Sequence, residues 1–203
     1  MTQKKKRIVI TGYGSFSHYS VNPSSEIVKN LENTYKSDDV ELISELLDVA
    51  YENALTYAVK ASQEFNPDFV IHLGVHPERK VLRLEQQSFS HGYCLKDVAG
   101  QVPLMNCCNV ENTENSKTLT TVLDCETITN TLNGNEEIQN SGLKIMLSND
   151  PGRFLCGYVY YCTLFLNNRK SLFVHVPDFD STITLELLTK VVEQIIAEVL
   201  KQI

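Results

Sequence analysis

Arg7-Ile8-Val9-Ile10-Thr11-Gly12 is a continuous apolar run of strand length, stopped by a glycine. It does not alternate with polar residues, so it predicts a strand buried inside a layered domain rather than one with a wet face. Downstream, Pro23-Ser24-Ser25-Glu26 opens a helix that continues through Ile27, Val28 and Leu31 at helical spacing. Residues 40–47 read as a second strand, and Asp48 as the cap of a helix running to about Phe65. Asn66-Pro67-Asp68 is a turn before a third apolar strand, Phe69-Val70-Ile71-His72-Leu73, ended by Gly74. Val81 to Ser88 reads as a strand, 124–133 as a helix, 143–148 as a strand and 152–167 as a helix. Ser171-Leu172-Phe173-Val174-His175-Val176 is an apolar strand stopped by Pro177. A last helix, about 182–201, sets Leu185, Leu188, Val192, Ile195, Ile196 and Val199 on one stripe.

Strands separated by helices predict an α/β protein: a three-layer α/β/α sandwich around a twisted, largely parallel or mixed sheet. The length of 203 residues suits a single domain over 1–203. Residues 89–123 interrupt the alternation with Gly92, Gly100, Pro103 and many asparagines. They read as a long irregular excursion with room for a hairpin, and such loops in compact domains usually carry function or movement.

Composition narrows the function classes. Hydrophobic residues make up 42% and charged residues 21%, the balance of a globular chain. With 18 basic against 25 acidic side chains the formal charge is −7, which disfavours nucleic acid as a general partner. No apolar run approaches the roughly 18 residues of a membrane span, so no membrane role is expected. The opening Lys4-Lys5-Lys6-Arg7 is followed by an apolar run too short for a secretory signal, so a cytoplasmic location is expected. There the six cysteines (Cys94, Cys107, Cys108, Cys125, Cys156 and Cys162) should be free thiols. Their spacing lacks the Cys-x-x-Cys or His-x(3–5)-His pairs of zinc sites, so neither a metal nor another cofactor is expected.

In an open α/β sheet ligands gather where the strands' carboxyl ends meet crossing loops. This rule singles out the ends of strands 7–11, 69–73 and 171–176, together with the segment 148–156. In Ser148-Asn149-Asp150-Pro151-Gly152-Arg153-Phe154-Leu155-Cys156, Ser148 or Asp150 can cap a helix, and Pro151 suits its first position. Cys156 then falls about one turn inside, where free N–H groups and the positive dipole end favour an anionic sulfur. Cysteine is also a good small core residue, and on pattern alone packing is the simpler reading. His175 and His72 both stand near the ends of apolar strands and are equal candidates for a base. Glu85 shares a strand face with Val81 and Arg83. A carboxylate in such a strand needs a partner, either Arg83 in an ion pair or an imidazole that it orients.

Together these segments resemble one family. Thr11-Gly12-Tyr13-Gly14-Ser15-Phe16 and Val21-Asn22-Pro23-Ser24 are similar to the opening signature of the pyrrolidone-carboxyl peptidases, the pyroglutamyl-peptidase I family. Leu84-Glu85, Ser148-x-Asp150-x-Gly152-Arg153-x-Leu155-Cys156 and Phe173-Val174-His175-Val176-Pro177 follow in the family's order and spacing. The resemblance runs from about residue 7 to 200 and is closer to the animal-type enzymes. It implies a cysteine exopeptidase that hydrolyses N-terminal pyroglutamate from peptides through a thioester. Cys156 is then nucleophile, His175 base and Glu85 the group orienting the base, with Tyr13 and Phe16 flanking the pyroglutamyl ring. Closeness to the animal type also points to a monomer, although related enzymes form oligomers.

The chain departs from the family pattern in several places. Ser15 replaces a usual proline, Tyr13 a phenylalanine and Pro151 a small residue. Gln86 stands where a basic residue commonly follows the glutamate. Cys94 and Leu95, with Lys96 beside them, occupy the region of a second basic residue that helps the oxyanion. Val75-His76-Pro77-Glu78-Arg79-Lys80 is more charged than the family's turn. Gln86 and the lost basic position motivate an alternative, a catalytically impaired relative that binds pyroglutamyl peptides or lactam-like ligands, against which the intact Glu85, Cys156 and His175 argue. A nucleotide-binding reading of Gly12-x-Gly14 is weak, because no complete phosphate-loop motif follows.

Overall fold

The computed structural model describes residues 4–15, 20–108, 110 and 117–203. Its main sheet contains β1 (Lys6–Tyr13), β2 (Val40–Leu47), β3 (Phe69–Val75), β4 (Val81–Glu85), β7 (Lys144–Ser148) and β8 (Ser171–Val176). The order across it is β2-β1-β3-β8-β4-β7. The first four strands of that order run parallel. β4 and β7 run parallel to each other but antiparallel to β8. The sheet is therefore mixed, with its one reversal between β8 and β4.

Helices α1 (Pro23–Thr34), α3 (Cys125–Asn133) and α6 (Leu185–Leu200) cover one face. There Ile8, Ile10, Leu82, Leu84, Leu172 and Val174 meet Ile27, Leu31, Ile128 and Ile195. Each fully buried aliphatic side chain of this kind contributes about 1.5–3 kcal/mol. Helices α2 (Tyr51–Lys60) and α5 (Leu155–Leu166) cover the other face. A short α4 (Glu136–Ser141) precedes β7. No helix among the described residues is long and apolar enough to cross a membrane.

Three local expectations change. The strand expected over 81–88 divides at Gln86, whose N–H donates to Ser148 O at 2.8 Å while its carbonyl accepts from Thr121 at 2.9 Å. Beyond it, β5 (Gln87–Phe89) pairs antiparallel with β6 (Thr118–Thr120), outside the main sheet. The second helix starts at Tyr51 rather than after an Asp48 cap. The Asp48 carboxylate accepts from Asn53, and the Tyr51 N–H donates to Asp97 Oδ2, 46 residues away, at 3.0 Å. After Lys60 the chain makes one π turn, and Asn66, at φ 43°, ends it.

The third change bears on the site. The helix expected from 152 begins at Leu155, with Phe154 as its cap residue. Gly152, at φ +81°, turns the chain first, and Asp150 Oδ1 accepts from the Gly152 N–H instead of capping the helix. Nine of the twelve residues of α5 are buried, as an all-round apolar helix requires. Part of its outer cover is β5 and the excursion after it: Ser88 Oγ donates to Gly157 O at 2.6 Å, and fully buried Tyr93 packs edge-on to Tyr158.

Candidate active site

Antiparallel pairing of β4 with β8 sets Glu85 opposite Phe173 and Arg83 opposite His175. Directly opposed residues share a face, and diagonal neighbours are within reach of long side chains. Glu85 therefore reaches along the strand to His175, whose Nδ1 lies 2.8 Å from Glu85 Oε1. The carboxylate is fully buried and His175 almost so. Arg83, the alternative partner, turns to the Glu78 carboxylate instead. Glu85 Oε2 has no hydrogen-bond partner among the described residues. Leaving such an atom unpaired costs about 1–3 kcal/mol, so the pairing through Oε1 must carry the buried charge. Tyr160, from α5, fixes the strand pair from above by donating to Glu85 O at 2.8 Å.

Cys156 is the second residue of α5 and is partly exposed, closer to the helix start than its sequence position implied. It neighbours His175 and is one of the two groups that raise the titration of that ring. Nδ1 is taken by Glu85, which leaves Nε2 as the second ring nitrogen. Burial opposes a charged imidazole here, but the hydrogen bonds and negative charge of Cys156 and Glu85 outweigh it, and His175 is held at about 9. The first amides of α5 have no intrahelical acceptor, and among the described residues the cap residue Phe154 offers them no side-chain acceptor. Their N–H groups thus remain as donors around the cysteine.

His72, the competing base, is a neutral core residue. Its Nδ1 lies 2.7 Å from Thr11 Oγ1 and its Nε2 3.0 Å from Thr163 Oγ1. With burial opposing charge and only hydroxyls as partners, it is pushed down to about 3.

Tyr13 lies beside the cysteine. With Val49, Val75, Phe154 and Leu155 it walls a small, mostly apolar recess that ends on Cys156. The hydroxyl that distinguishes it from phenylalanine donates to Leu155 O at 3.2 Å. Phe16, its expected companion, lies outside the described residues. Buried Asn22 holds the first loop: its Nδ2 donates to Gly14 O, and its Oδ1 accepts from Ser24 N and Oγ. A much larger groove of about 660 Å³ lies beyond Val49, lined by Asp48, Tyr51, Asp97 and Leu104 among others. None of Glu85, Cys156 and His175 lines it, so the reactive side chains, not the volume, locate the candidate site.

Two contributors escaped the reading of the sequence. A Cβ on Gly74 would stand 2.7 Å from the Phe173 ring and 3.1 Å from Cys156 Sγ, so only glycine leaves the sulfur its place. The Gly74 stop signal was legible, but its steric purpose needed the neighbours. His76 lies edge-on to His175, with ring centroids 5.4 Å apart and planes at 63°. Of the departures, Gln86 spans to the turn before the cysteine and donates to Asn149 Oδ1 at 2.9 Å. Cys94, Leu95 and Lys96 are all exposed.

Comparisons with known proteins identify the family and the fold. Residues 2–180 match the family described as "Putative pyroglutamyl peptidase". Human pyroglutamyl-peptidase 1 is 28% identical over 202 residues, covering 98% of this chain and 92% of its own. Pyrrolidone-carboxylate peptidase of Fusobacterium nucleatum is 22% identical over 178 residues, covering 85% and 78%. A solved pyrrolidone carboxyl peptidase mutant from Pyrococcus furiosus superimposes with a TM-score of 0.80 at 22% identity, covering 97% of this chain and 99% of that one. Pyroglutamyl peptidase I from Bacillus amyloliquefaciens gives 0.78 at 21% identity, covering 97% and 96%. These structures establish the shared mixed α/β fold. The family match extends over most of the chain and includes all three residues that meet at the β4–β8 reversal: the chain belongs to the pyroglutamyl peptidase family.

Proposed function

We propose that this chain is a cysteine exopeptidase that removes N-terminal pyroglutamate from peptides, with Cys156 as nucleophile, His175 as acid and base, and Glu85 as the residue that orients His175. The observation that carries the reading is the chain of neighbours Glu85, His175 and Cys156: Glu85 Oε1 meets His175 Nδ1, and Cys156 with Glu85 raises the titration of the ring. That chain has the order nucleophile, base and orienting group that covalent catalysis requires.

In the forward step His175 takes the proton of the Cys156 thiol, and the sulfur attacks the carbonyl carbon that joins pyroglutamate to the next residue. The oxyanion forms against the free N–H groups at the start of α5. His175 then passes its Nε2 proton to the leaving amine, the C–N bond breaks, and a pyroglutamyl thioester remains on sulfur. Water, deprotonated by His175, attacks the thioester and releases pyroglutamate, and the thiol is restored. Pyroglutamate is a flat, uncharged lactam without a free α-amino group, and the apolar walls of Tyr13, Val49, Phe154 and Leu155 beside the sulfur suit it.

Incubation of the reduced protein with a pyroglutamyl fluorogenic amide tests the reading. Turnover is expected, and Cys156→Ala should lower it by about 10³-fold or more. Turnover that survives in Cys156→Ala would remove the nucleophile assignment. A folded, reduced protein that binds pyroglutamyl peptides without turning them over would be an impaired relative instead.

A further inference from the structure

We propose that His76 is a positioning residue for His175: its ring holds the catalytic imidazole between Cys156 and Glu85, and its protonation on the acid side disturbs that pair. The proposal rests on the reading of His175 as the base, but its test does not require the substrate to be correct.

The placement of His76 is set from several sides. Its backbone N–H donates to Val176 O at 2.9 Å, which fixes it alongside the residue that follows His175. Its Nδ1 accepts from the Glu78 N–H at 3.3 Å, so the neutral ring carries its proton on Nε2. The His175 ring thereby has an aromatic neighbour on two sides, His76 at 5.4 Å and Phe173 at 4.7 Å between centroids. Glu85 restrains one ring nitrogen. The two neighbouring rings restrain the tilt that a single hydrogen bond leaves free.

The charged groups around His76 come from three elements. Glu78 lies on its own turn, His175 on β8, and Arg83 and Glu85 on β4. Partial burial disfavours a charged His76, and the positive His175 and Arg83 add to that, while Glu78 and Glu85 oppose it; the net direction is downward. His76 is therefore neutral where His175 is charged. As the pH falls and His76 takes a proton, two like charges face each other across one ring contact. His175⁺ then loses part of its stabilisation, and the hold on the charged ring between Cys156 and Glu85 weakens.

Two variants separate ring from charge: His76→Phe keeps an aromatic ring and cannot titrate, whereas His76→Ala loses both. The readout is the pH dependence of Cys156 alkylation by iodoacetamide, followed on the Cys156 peptide by mass spectrometry so that exposed Cys94 does not contribute. In His76→Phe the acid limb should change shape and become shallower by the one proton that residue 76 no longer takes up. His76→Ala should also lower the plateau rate by about tenfold, with Phe recovering most of it. A His76→Phe profile superimposed on that of the wild type would overturn the proposal. So would equal plateau losses in the two variants. If the wild type fails to cleave a pyroglutamyl amide while the alkylation profile changes as stated, the assigned substrate falls and the role of His76 stands.

Discussion

His72 and His175 stand on adjacent parallel strands, on the same face of the sheet, each near the end of an apolar run. Both are buried, yet their titrations move in opposite directions, to about 3 and about 9. Burial disfavours the charged form of each. The difference lies in the partners. His72 meets two threonine hydroxyls, which satisfy its nitrogens without supplying charge. His175 meets a carboxylate and a thiol that can become an anion. What two other elements bring to a buried imidazole thus decides whether it stays neutral or takes up a proton.

The comparison is most directly broken by Glu85→Gln. It removes the charge but keeps a hydrogen-bonding group, and should make His175 resemble His72. A fall in kcat/KM of about 10³–10⁴ is expected, by analogy with serine peptidase triads. The His175 ring protons followed by NMR should titrate well below 9. Activity within tenfold of wild type would show that orientation alone, without charge, suffices.

Thr163→Val addresses the other histidine. Thr163 Oγ1 serves His72 and also contacts Ser171 Oγ, so its loss should destabilise the fold by about 1–3 kcal/mol in denaturant titrations. Activity per folded molecule should stay within about twofold of wild type. A large loss of activity at unchanged stability would mean that His72 contributes to chemistry.

The smallest effect per step is in the pH dependence of stability. The folded value of His175, about 9, lies above the unfolded value of about 6.5. Its stabilisation is full below 6.5 and is lost as pH rises from there through 9. The folded value of His72 is about 3, so the unfolded chain binds the extra proton below 6.5 and stability falls as pH drops toward 3. Each slope is at most about 1.4 kcal/mol per pH unit. The buried Cys108 and Cys125 thiols, pushed up by burial, add to the alkaline loss. The His175 share is therefore the difference from His175→Gln, and the His72 share the difference from His72→Gln. Parallel curves for wild type and either variant would contradict the corresponding assignment.

Reading the site from the chain alone succeeded in parts that can be named. The alternation around Glu85 placed it on one face with Arg83 and left its partner open. The reversal of β4 against β8 decided it, because that register offers Glu85 to His175 while Arg83 finds Glu78. Cys156 was legible as a helix-start cysteine, but the start itself was placed too early. Pro151 and its neighbours have the composition of a helix N-terminus, whereas the positive φ of Gly152 delays the helix to Leu155. The cap expected from Asp48 is made by Asp97 instead, a contact that sequence-local reasoning cannot anticipate.

What the sequence determined by itself was the alternation of apolar runs and helical stripes, hence a helix-covered sheet, together with the motifs that make Glu85, Cys156 and His175 candidates. These are local properties, set by periods of two and 3.6 residues and by short spacings. Only the tertiary structure decided which histidine is charged, why residue 74 must be glycine, and that His76 rests against His175. Each of these depends on side chains distant in sequence meeting within a few ångströms. At that range burial and a single neighbouring charge outweigh anything a residue's own segment dictates.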